Sequence, residues 1–271
     1  MSLQAVAKKD FQDTVRSRAM VVLVVLFSAL VSVMAYAVRP AGEGQGFETE
    51  ILLSFFVGPI LVTTLVPLVA VVIGYNAVSG ERESGSLKLL LSLPHSRADV
   101  VFGKVIGRAA ALSLAIAVGF LVPAVVLIAI PVAFNPGAFL GYTVFAMILG
   151  CVFVSIAVGC SAAASTQRQA LIGGIGIYFV FVLLWGTLTG QLLGAFESVI
   201  DPLPVSLIQV QTFLEVANPN TGIQELANAF LADQLFAGET RNQQISASAM
   251  LVFWALAPPL VGLLKFDRDD L

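Results

Sequence analysis

Polar chemistry in this sequence is concentrated in one short stretch, GERESGSLKLLLSLPHSR, which occupies Gly80–Arg97. It holds five charged side chains, a glycine inside and a proline near its end. The chain around it is 58% hydrophobic and only 11% charged. Acidic and basic side chains this close together can make charge-assisted hydrogen bonds with a partner molecule. The stretch is therefore either a solvated loop or a site that another protein holds.

Other residue types that do chemistry are scarce and poorly placed for it. Cys151 and Cys160 are nine positions apart in one apolar run and fall on opposite faces of a helix, so we expect them to be buried small side chains. His95 is the only histidine and is expected to be a loop residue. We expect no metal site, no cofactor site and no catalytic residue in this chain.

Apolar runs long enough to cross a membrane make up most of the 271 residues, whose mean hydropathy is +0.94. About 20 apolar residues in a helix span the hydrocarbon of a bilayer. Six spans are predicted, at about 19–38, 51–77, 109–133, 141–164, 170–193 and 245–264. The predicted fold class is an all-α integral membrane protein, with residues 1–271 in a single transmembrane domain.

None of the six predicted spans contains Asp, Glu, Lys, Arg or His. Ionisable side chains at membrane depth mark proton relays and ion pathways because they are costly to bury there. Intramembrane proteases need an Asp pair, a Ser/His pair or metal-ligating histidines. Proton-coupled transport and intramembrane proteolysis are therefore disfavoured, whereas a sodium-coupled carrier can use backbone carbonyls and stays open. An ATP-binding G-x-x-x-x-G-K-[ST] loop is also absent, since Ala98 stands where the first glycine would precede Gly103-Lys104.

The positions of Lys and Arg predict the orientation in the membrane. With the N-terminus inside, only Arg39 and Arg241 lie outside, which leaves 12 of the 14 basic residues on the inner side. Loops rich in Lys and Arg remain in the cytoplasm. Both termini and the loop 80–108 are therefore expected in the cytoplasm, in a multi-pass protein of the cell membrane.

Residues 1–18 are predicted to form an amphipathic elbow helix that lies on the cytoplasmic membrane surface and leads into the first span. Its apolar residues recur at helical spacing with charged residues between them. They are Leu3, Val6, Phe11 and Val15. The alternative is a frayed basic anchor.

Two further segments are not simple spans. In the loop 80–108, the leucines predict a short helix with charges at its start that Pro94 ends, and Ser96–Asp99 predicts a capping box that opens the next helix. The outer segment 194–244 is predicted to hold two amphipathic helices, interfacial or re-entrant. The second of them would follow a turn at Asn218-Pro219 and be capped at Thr221. A mobile loop is the alternative for this segment.

The stretch Gly80–Arg108 resembles the cytoplasmic loop of ABC-2 type transporter permeases. The family pattern is an E-R-E-x-G-T-L block, leucines, a Pro before Ser-Arg, and a G-K at the start of the third helix. The matching residues here are Glu81–Leu87, with Ser86 in place of Thr, then Pro94, Ser96-Arg97 and Gly103-Lys104. The elbow helix, the six spans and the long outer segment extend the resemblance over most of the chain. The most similar subgroup is the permeases associated with copper-enzyme maturation, such as that of nitrous-oxide reductase.

The resemblance implies a permease subunit of an ABC transporter and, by analogy with the family, one that exports its substrate. Two permeases, identical copies or paralogues, would pair in the lipid bilayer above two separate ATPase subunits that bind ATP and Mg, and no nucleic acid is expected. The loop after the second span would hold a coupling helix that sits in a groove of the ATPase. The coupling role then falls on Glu81, Arg82, Glu83, Ser84, Gly85 and Lys88.

Two other functions stay open on the sequence alone. One is a sodium-coupled carrier or passive channel that works without a partner, and the other is a membrane anchor for an ATPase that transports nothing. Glycines in the fifth span are predicted to let helices approach closely. They are Gly173, Gly174, Gly176, Gly186 and Gly190. The apolar spans favour a hydrophobic or lipid-like cargo over a sugar.

Overall fold

The computed structural model describes residues 3–37, 49–87, 96–129, 134–200 and 206–268, and within these ranges it contains helices and no β-strand. The α-helices are Leu3–Val15, Arg18–Ala37, Thr49–Ile51, Thr63–Gly74, Ser79–Glu83, Arg97–Ala129, Pro136–Ala163, Gln167–Tyr178, Trp185–Ile200, Leu207–Ala217, Pro219–Leu231 and Arg241–Arg268. Two segments, Leu52–Val62 and Phe179–Leu184, are π-helical. The predicted all-α fold is confirmed.

Six helical runs are long and apolar enough to cross a membrane, as predicted. In chain order, from first to sixth span, they are Met20–Ala37, Thr63–Glu83, Arg97–Ala129, Pro136–Ala163, Gln167–Ala195 and Arg241–Arg268. The third begins at Arg97 and not near residue 109, because the helix that carries Lys104 and Arg108 is continuous with it. We call Leu3–Val15 the N-terminal helix, the side of the bundle that holds it the N-terminal side, and the opposite side the far side.

The fourth span forms the centre of the bundle. About two thirds of it (67%) is buried, against 17% of the fifth span and 22% of the sixth. Small residues bring its neighbours close, since a Cβ atom placed on Gly74 would stand 2.3 Å from Cβ of Ala157. A Cβ atom on Gly159 would stand 2.5 Å from the carbonyl of Pro258. Close helix crossings therefore join the fourth span to the second and to the sixth.

Most of the glycines predicted to mediate close helix approach do not do so. A Cβ atom on Gly174 would come within 2.8 Å of Cγ1 of Val71. The others have no neighbour within 4 Å among the described residues, namely Gly173, Gly176, Gly186 and Gly190. The reason is the position of the fifth span, which lies at the edge of the bundle and buries only a narrow ridge of its surface.

The fifth span and the segment that leads into the second span both contain π-helical turns, which are wider than α-helical ones. In the segment before the second span, Pro59 cannot donate a backbone hydrogen bond, and the hydroxyls of Thr63 and Thr64 both donate to its carbonyl at 3.1 Å. In the fifth span, the carbonyl of Phe181 accepts a hydrogen bond from the side chain of Asn218 at 2.8 Å. Widened turns expose backbone acceptors to side chains from other elements.

The N-terminal helix lies along the third span. Its predicted apolar residues are all buried or half-buried: Leu3, Val6, Phe11 and Val15. A Cβ atom on Gly103 would stand 2.8 Å from Val6, and one on Gly107 would stand 2.6 Å from the carbonyl of Ala7. The two glycines therefore let this helix pack directly on the third span, which a frayed anchor would not do. Its position on the membrane surface stays a prediction.

Two helices, Leu207–Ala217 and Pro219–Leu231, follow the fifth span on the far side, as predicted. The second packs against the fourth and sixth spans and buries Ile223 and Leu226. The first exposes Ile208 and leaves most of its surface uncovered. The pair is thus anchored to the bundle through its second helix.

The predicted cap of the second far-side helix is wrong by one turn. The side-chain oxygen of Asn218 accepts a hydrogen bond from the N–H of Asn220 at 2.8 Å and caps the helix, whereas Thr221 lies inside it. Pro219 occupies the first helical position, which suits its fixed φ and missing N–H. The helix therefore begins at Pro219, directly after its cap Asn218, and the predicted turn at Asn218-Pro219 is the start of the helix itself.

Candidate functional site

Three of the residues predicted to bind an ATPase end the second span. Glu81, Arg82 and Glu83 lie in the helix Ser79–Glu83, which continues that span. The prediction that they open the leucine-rich helix is wrong, because the backbone first turns at Gly85, where φ is +75°. This left-handed conformation suits glycine and is strained for residues that have a Cβ atom.

The turn Ser84–Ser86, which we call the serine turn, is exposed and contains two residues of the predicted set, Ser84 and Gly85; Glu83 of that set is exposed beside it. The hydroxyls of Ser84 and Ser86 are 2.9 Å apart, and each donates to the carbonyl of Glu81, at 3.3 and 3.4 Å. Leu87 is buried directly after the turn. The turn therefore has a defined shape. The remaining predicted residue, Lys88, lies outside the described residues, as do the predicted helix end at Pro94 and His95.

The carboxylate of Glu81 contacts a buried lysine. Nζ of Lys104 lies 2.8 Å from Oε1 of Glu81 and 3.4 Å from Oδ1 of Asp10. The Lys104 side chain is only 4% exposed and that of Asp10 only 10%. A charge this deeply buried is tolerated when opposite charges and hydrogen bonds surround it. One ammonium thus joins the end of the second span, the third span and the N-terminal helix.

Arg108 completes the cluster one helical turn after Lys104. Its Nε lies 3.1 Å from Oδ2 of Asp10, and its Nη1 donates to the side chain of Asn76 at 2.9 Å and to the carbonyl of Ile73. Two acids and two bases are therefore paired at one point. We call Asp10, Glu81, Lys104 and Arg108 the charged junction.

The other two predicted charges hold the second span to later parts of the chain. Oε1 of Glu83 accepts the backbone N–H of Gln167 at 2.8 Å, at the start of the fifth span. Nη1 of Arg82 donates to the carbonyl of Ala164 at 3.1 Å, and its guanidinium lies 5.2 Å from the ring centroid of Phe266. These charges are engaged within the chain, so the predicted set does not present a row of free charges.

Two hydroxyl contacts fix the same region. Oγ of Ser161, in the fourth span, accepts hydrogen bonds from the N–H groups of Val78 and Ser79 at 3.0 and 3.1 Å.

The predicted capping box at the start of the third span is confirmed. The N–H of Asp99 donates to Oγ of Ser96 at 3.0 Å, and the N–H of Ser96 donates to Oδ2 of Asp99 at 3.1 Å.

A polar cavity of about 530 Å³ adjoins the charged junction on the N-terminal side. It lies between the N-terminal helix, the second span and the start of the fifth, and its lining includes Asp13, Asn76, Gly80 and Gln167. The junction thus has packed helices on one side and unfilled space on the other.

Buried amides form the main polar cluster on the far side. The side chain of Asn218 donates to the carbonyl of Phe181, and that of Asn220 donates to the carbonyl of Thr63, each at 2.8 Å. The start of the second far-side helix therefore contacts the fifth span within its π-helical segment and the second span directly after the π-helical segment that precedes it.

No group of three His, Cys, Asp or Glu residues within the described ranges is arranged to hold a metal ion. Cys151 and Cys160 are both free thiols, in agreement with the prediction that they do not pair. The contacts of the described residues on the N-terminal side link the second, third and fifth spans and the N-terminal helix to one another.

Comparison with known proteins finds a matching family profile and similar proteins, two of which are described here. The family profile described as ABC-2 family transporter protein matches residues 4–271. A protein of Pseudomonas aeruginosa named "Probable ABC transporter permease protein NosY" is 31% identical over 261 residues, which cover 92% of this chain and 92% of that protein. A protein of the same name from Stutzerimonas stutzeri is 30% identical over 227 residues, which cover 82% of this chain and 79% of the relative.

Proposed function

The chain belongs to the ABC-2 transporter family and is the transmembrane permease subunit of an ABC transporter, and we propose that it exports its substrate with energy from separate ATPase subunits. In this proposal the ATPase binds ATP and Mg, and the permease has no ATPase site of its own. The observation that supports it is the serine turn, an exposed and well-defined turn at the end of a span that other helices hold firmly.

The ATPase is proposed to contact the serine turn and the exposed edge of Glu83. A Cβ atom placed on Gly85 would have no neighbour within 4 Å among the described residues, so a partner backbone can come close to this glycine. Glu81 and Arg82 act from behind the turn, where they hold it against the third, fourth and sixth spans. Lys88 follows the turn directly and is included in the contact by its place in the sequence.

We place the serine turn, both termini and the N-terminal helix in the cytoplasm, and the chain in the cell membrane. The support is the distribution of basic residues, 12 of 14 of which would then lie inside. The far-side helices Leu207–Ala217 and Pro219–Leu231 are then on the outer side.

A second permease copy is proposed to pack on the fifth span. Gly186, Gly190 and Gly194 recur at every fourth position of one helix, and a Cβ atom placed on any of them would meet no described residue within 4 Å. Such spacing lets two membrane helices approach closely. A cysteine at Gly190, in a chain with Cys151 and Cys160 replaced by alanine, should cross-link two copies in the membrane. A cysteine at exposed Leu121 in the third span is the control.

The experiment that tests the function is co-purification from the native host. The tagged chain is extracted in mild detergent, and the proteins that accompany it are identified by mass. We expect a stoichiometric soluble protein with a Walker A loop. A chain that purifies alone, or only with itself, through several detergents would contradict the proposal and favour a carrier or channel without a partner. An ATPase that binds the chain but whose ATP hydrolysis no candidate cargo stimulates would favour the alternative that the chain is a membrane anchor and transports nothing.

A further inference from the structure

The helix Ser79–Glu83 is linked to two different parts of the bundle by different side chains. Arg82 and Glu83 bind the region around Ala164 and Gln167, between the fourth and fifth spans. Glu81 instead binds Lys104 and so reaches the third span and the N-terminal helix. Glu81 thus connects the residues next to the serine turn to the third span and the N-terminal helix, while Arg108 contacts the second span earlier, at Ile73 and Asn76.

Adhesion of the N-terminal helix does not require this ion cluster. Val6 packs on Gly103, and the backbone around Ala7 packs on Gly107. Buried ion pairs add little net stability compared with apolar packing of similar volume, but they define geometry and are disruptive when one member is lost. The pairing of Lys104 with both Asp10 and Glu81 therefore constrains the relative position of the three helices more than it adds to the stability of their packing.

We propose that Lys104 is a positioning residue for energy coupling, which makes the N-terminal helix and the third span follow the serine turn when the ATPase moves it. Three elements meet at its ammonium, at 2.8 Å from Glu81 and 3.4 Å from Asp10. The cavity of about 530 Å³ beside the junction gives these elements room to shift without displacing packed side chains. The inference rests on the proposed function, because it needs an ATPase at the serine turn.

The test follows the distance between two spin labels in the co-purified complex, reconstituted in lipid nanodiscs. The labels are placed at Gln12 on the N-terminal helix and at Glu239 on the far side, which is not attached to the serine turn; both are exposed, and Cys151 and Cys160 are replaced by alanine. We expect the distance to change when ATP and vanadate are added. In Lys104→Met the ATPase should still bind, but the distance change should be lost.

Two further variants separate linkage from damage to the fold. Glu81→Gln removes the charge that pairs with Lys104 beside the serine turn and leaves the pair between Lys104 and Asp10, so most of the distance change should also be lost. Lys9→Met removes a lysine from the exposed face of the N-terminal helix and should behave as the unmodified chain. If Lys104→Met does not fold, the result for Glu81→Gln decides.

The outcomes separate the two proposals. ATPase binding with an unchanged distance response in Glu81→Gln or Lys104→Met overturns the role of Lys104 and leaves the proposed function intact. A chain that purifies without any ATPase overturns the proposed function, and the inference falls with it. Loss of the response in both variants, with ATPase bound and Lys9→Met unaffected, supports the inference.

Discussion

The charged side chains at the end of the second span bind other parts of the same chain. Glu81 binds Lys104, Arg82 binds the carbonyl of Ala164, and Glu83 binds the N–H of Gln167. Surface ion pairs with free partners are weak and screened by salt, but these contacts are partly buried and hold the turn from three directions. What a partner would recognise is therefore the shape of the serine turn more than its charge.

Gly85 is the residue on which that shape depends. Gly85→Ala should strain the turn by roughly 1–2 kcal/mol because φ is +75° there, although the space around it is open. We expect less ATPase to co-purify, with insertion of the permease unchanged. Gly85→Asn is the matched control, since Asn tolerates the left-handed region and should retain the ATPase. Equal recovery with Ala and with the unmodified chain would refute this role.

The N-terminal helix packs closely on the third span because Gly103 and Gly107 have no side chains. Gly107→Leu would place a Cβ atom 2.6 Å from the carbonyl of Ala7, so the helix must move away from the third span. Overpacking of this kind typically costs about 1–3 kcal/mol. A cysteine at buried Val6 should then react faster with a maleimide in detergent. Gly176→Leu, where the space is open, should leave that rate unchanged, and equal rates in both variants would contradict the packing.

The far-side helices depend on two buried amides. Asn220→Ala leaves the carbonyl of Thr63 without its side-chain donor, and loss of one partner of a buried hydrogen bond costs about 1–3 kcal/mol. We expect a lower temperature of thermal unfolding in detergent. Asn228→Ala removes an exposed amide from the same helix and should have no effect. Identical unfolding of the two variants would show that the amide contact does not hold the segment.

At the scale of the whole molecule, the sequence predicts the spans well and their packing poorly. Hydropathy depends on each segment alone, so all six spans are found. Which glycine meets a neighbour depends on where the helix sits, so Gly159 in the central span makes a close crossing and Gly186 at the edge does not. The partners of Glu81 and Glu83 lie 23 and 84 positions away, and no local pattern specifies such pairs. Lys104 and Arg108 are four positions apart, on one face of a helix, and this spacing is the local signal that could have indicated the charged junction.

Orientation is a property of the whole molecule and can be measured directly. Single cysteines at Gln12, Ser165 and Glu239, all exposed, are treated with a maleimide that does not cross membranes, in intact cells with Cys151 and Cys160 replaced. We expect Glu239 to be labelled in intact cells, and the other two only after permeabilisation. Labelling of Gln12 in intact cells would reverse the proposed orientation and remove the serine turn from the reach of a cytoplasmic ATPase.

The amides of Asn218 and Asn220 lie together at the start of one helix, yet they bind two different spans. Pro219 between them has a fixed φ, which limits how far the two amides can move apart. The second and fifth spans can therefore separate on the far side only if at least one of these hydrogen bonds breaks. The start of this helix is a bridge between the two spans that opposes their separation.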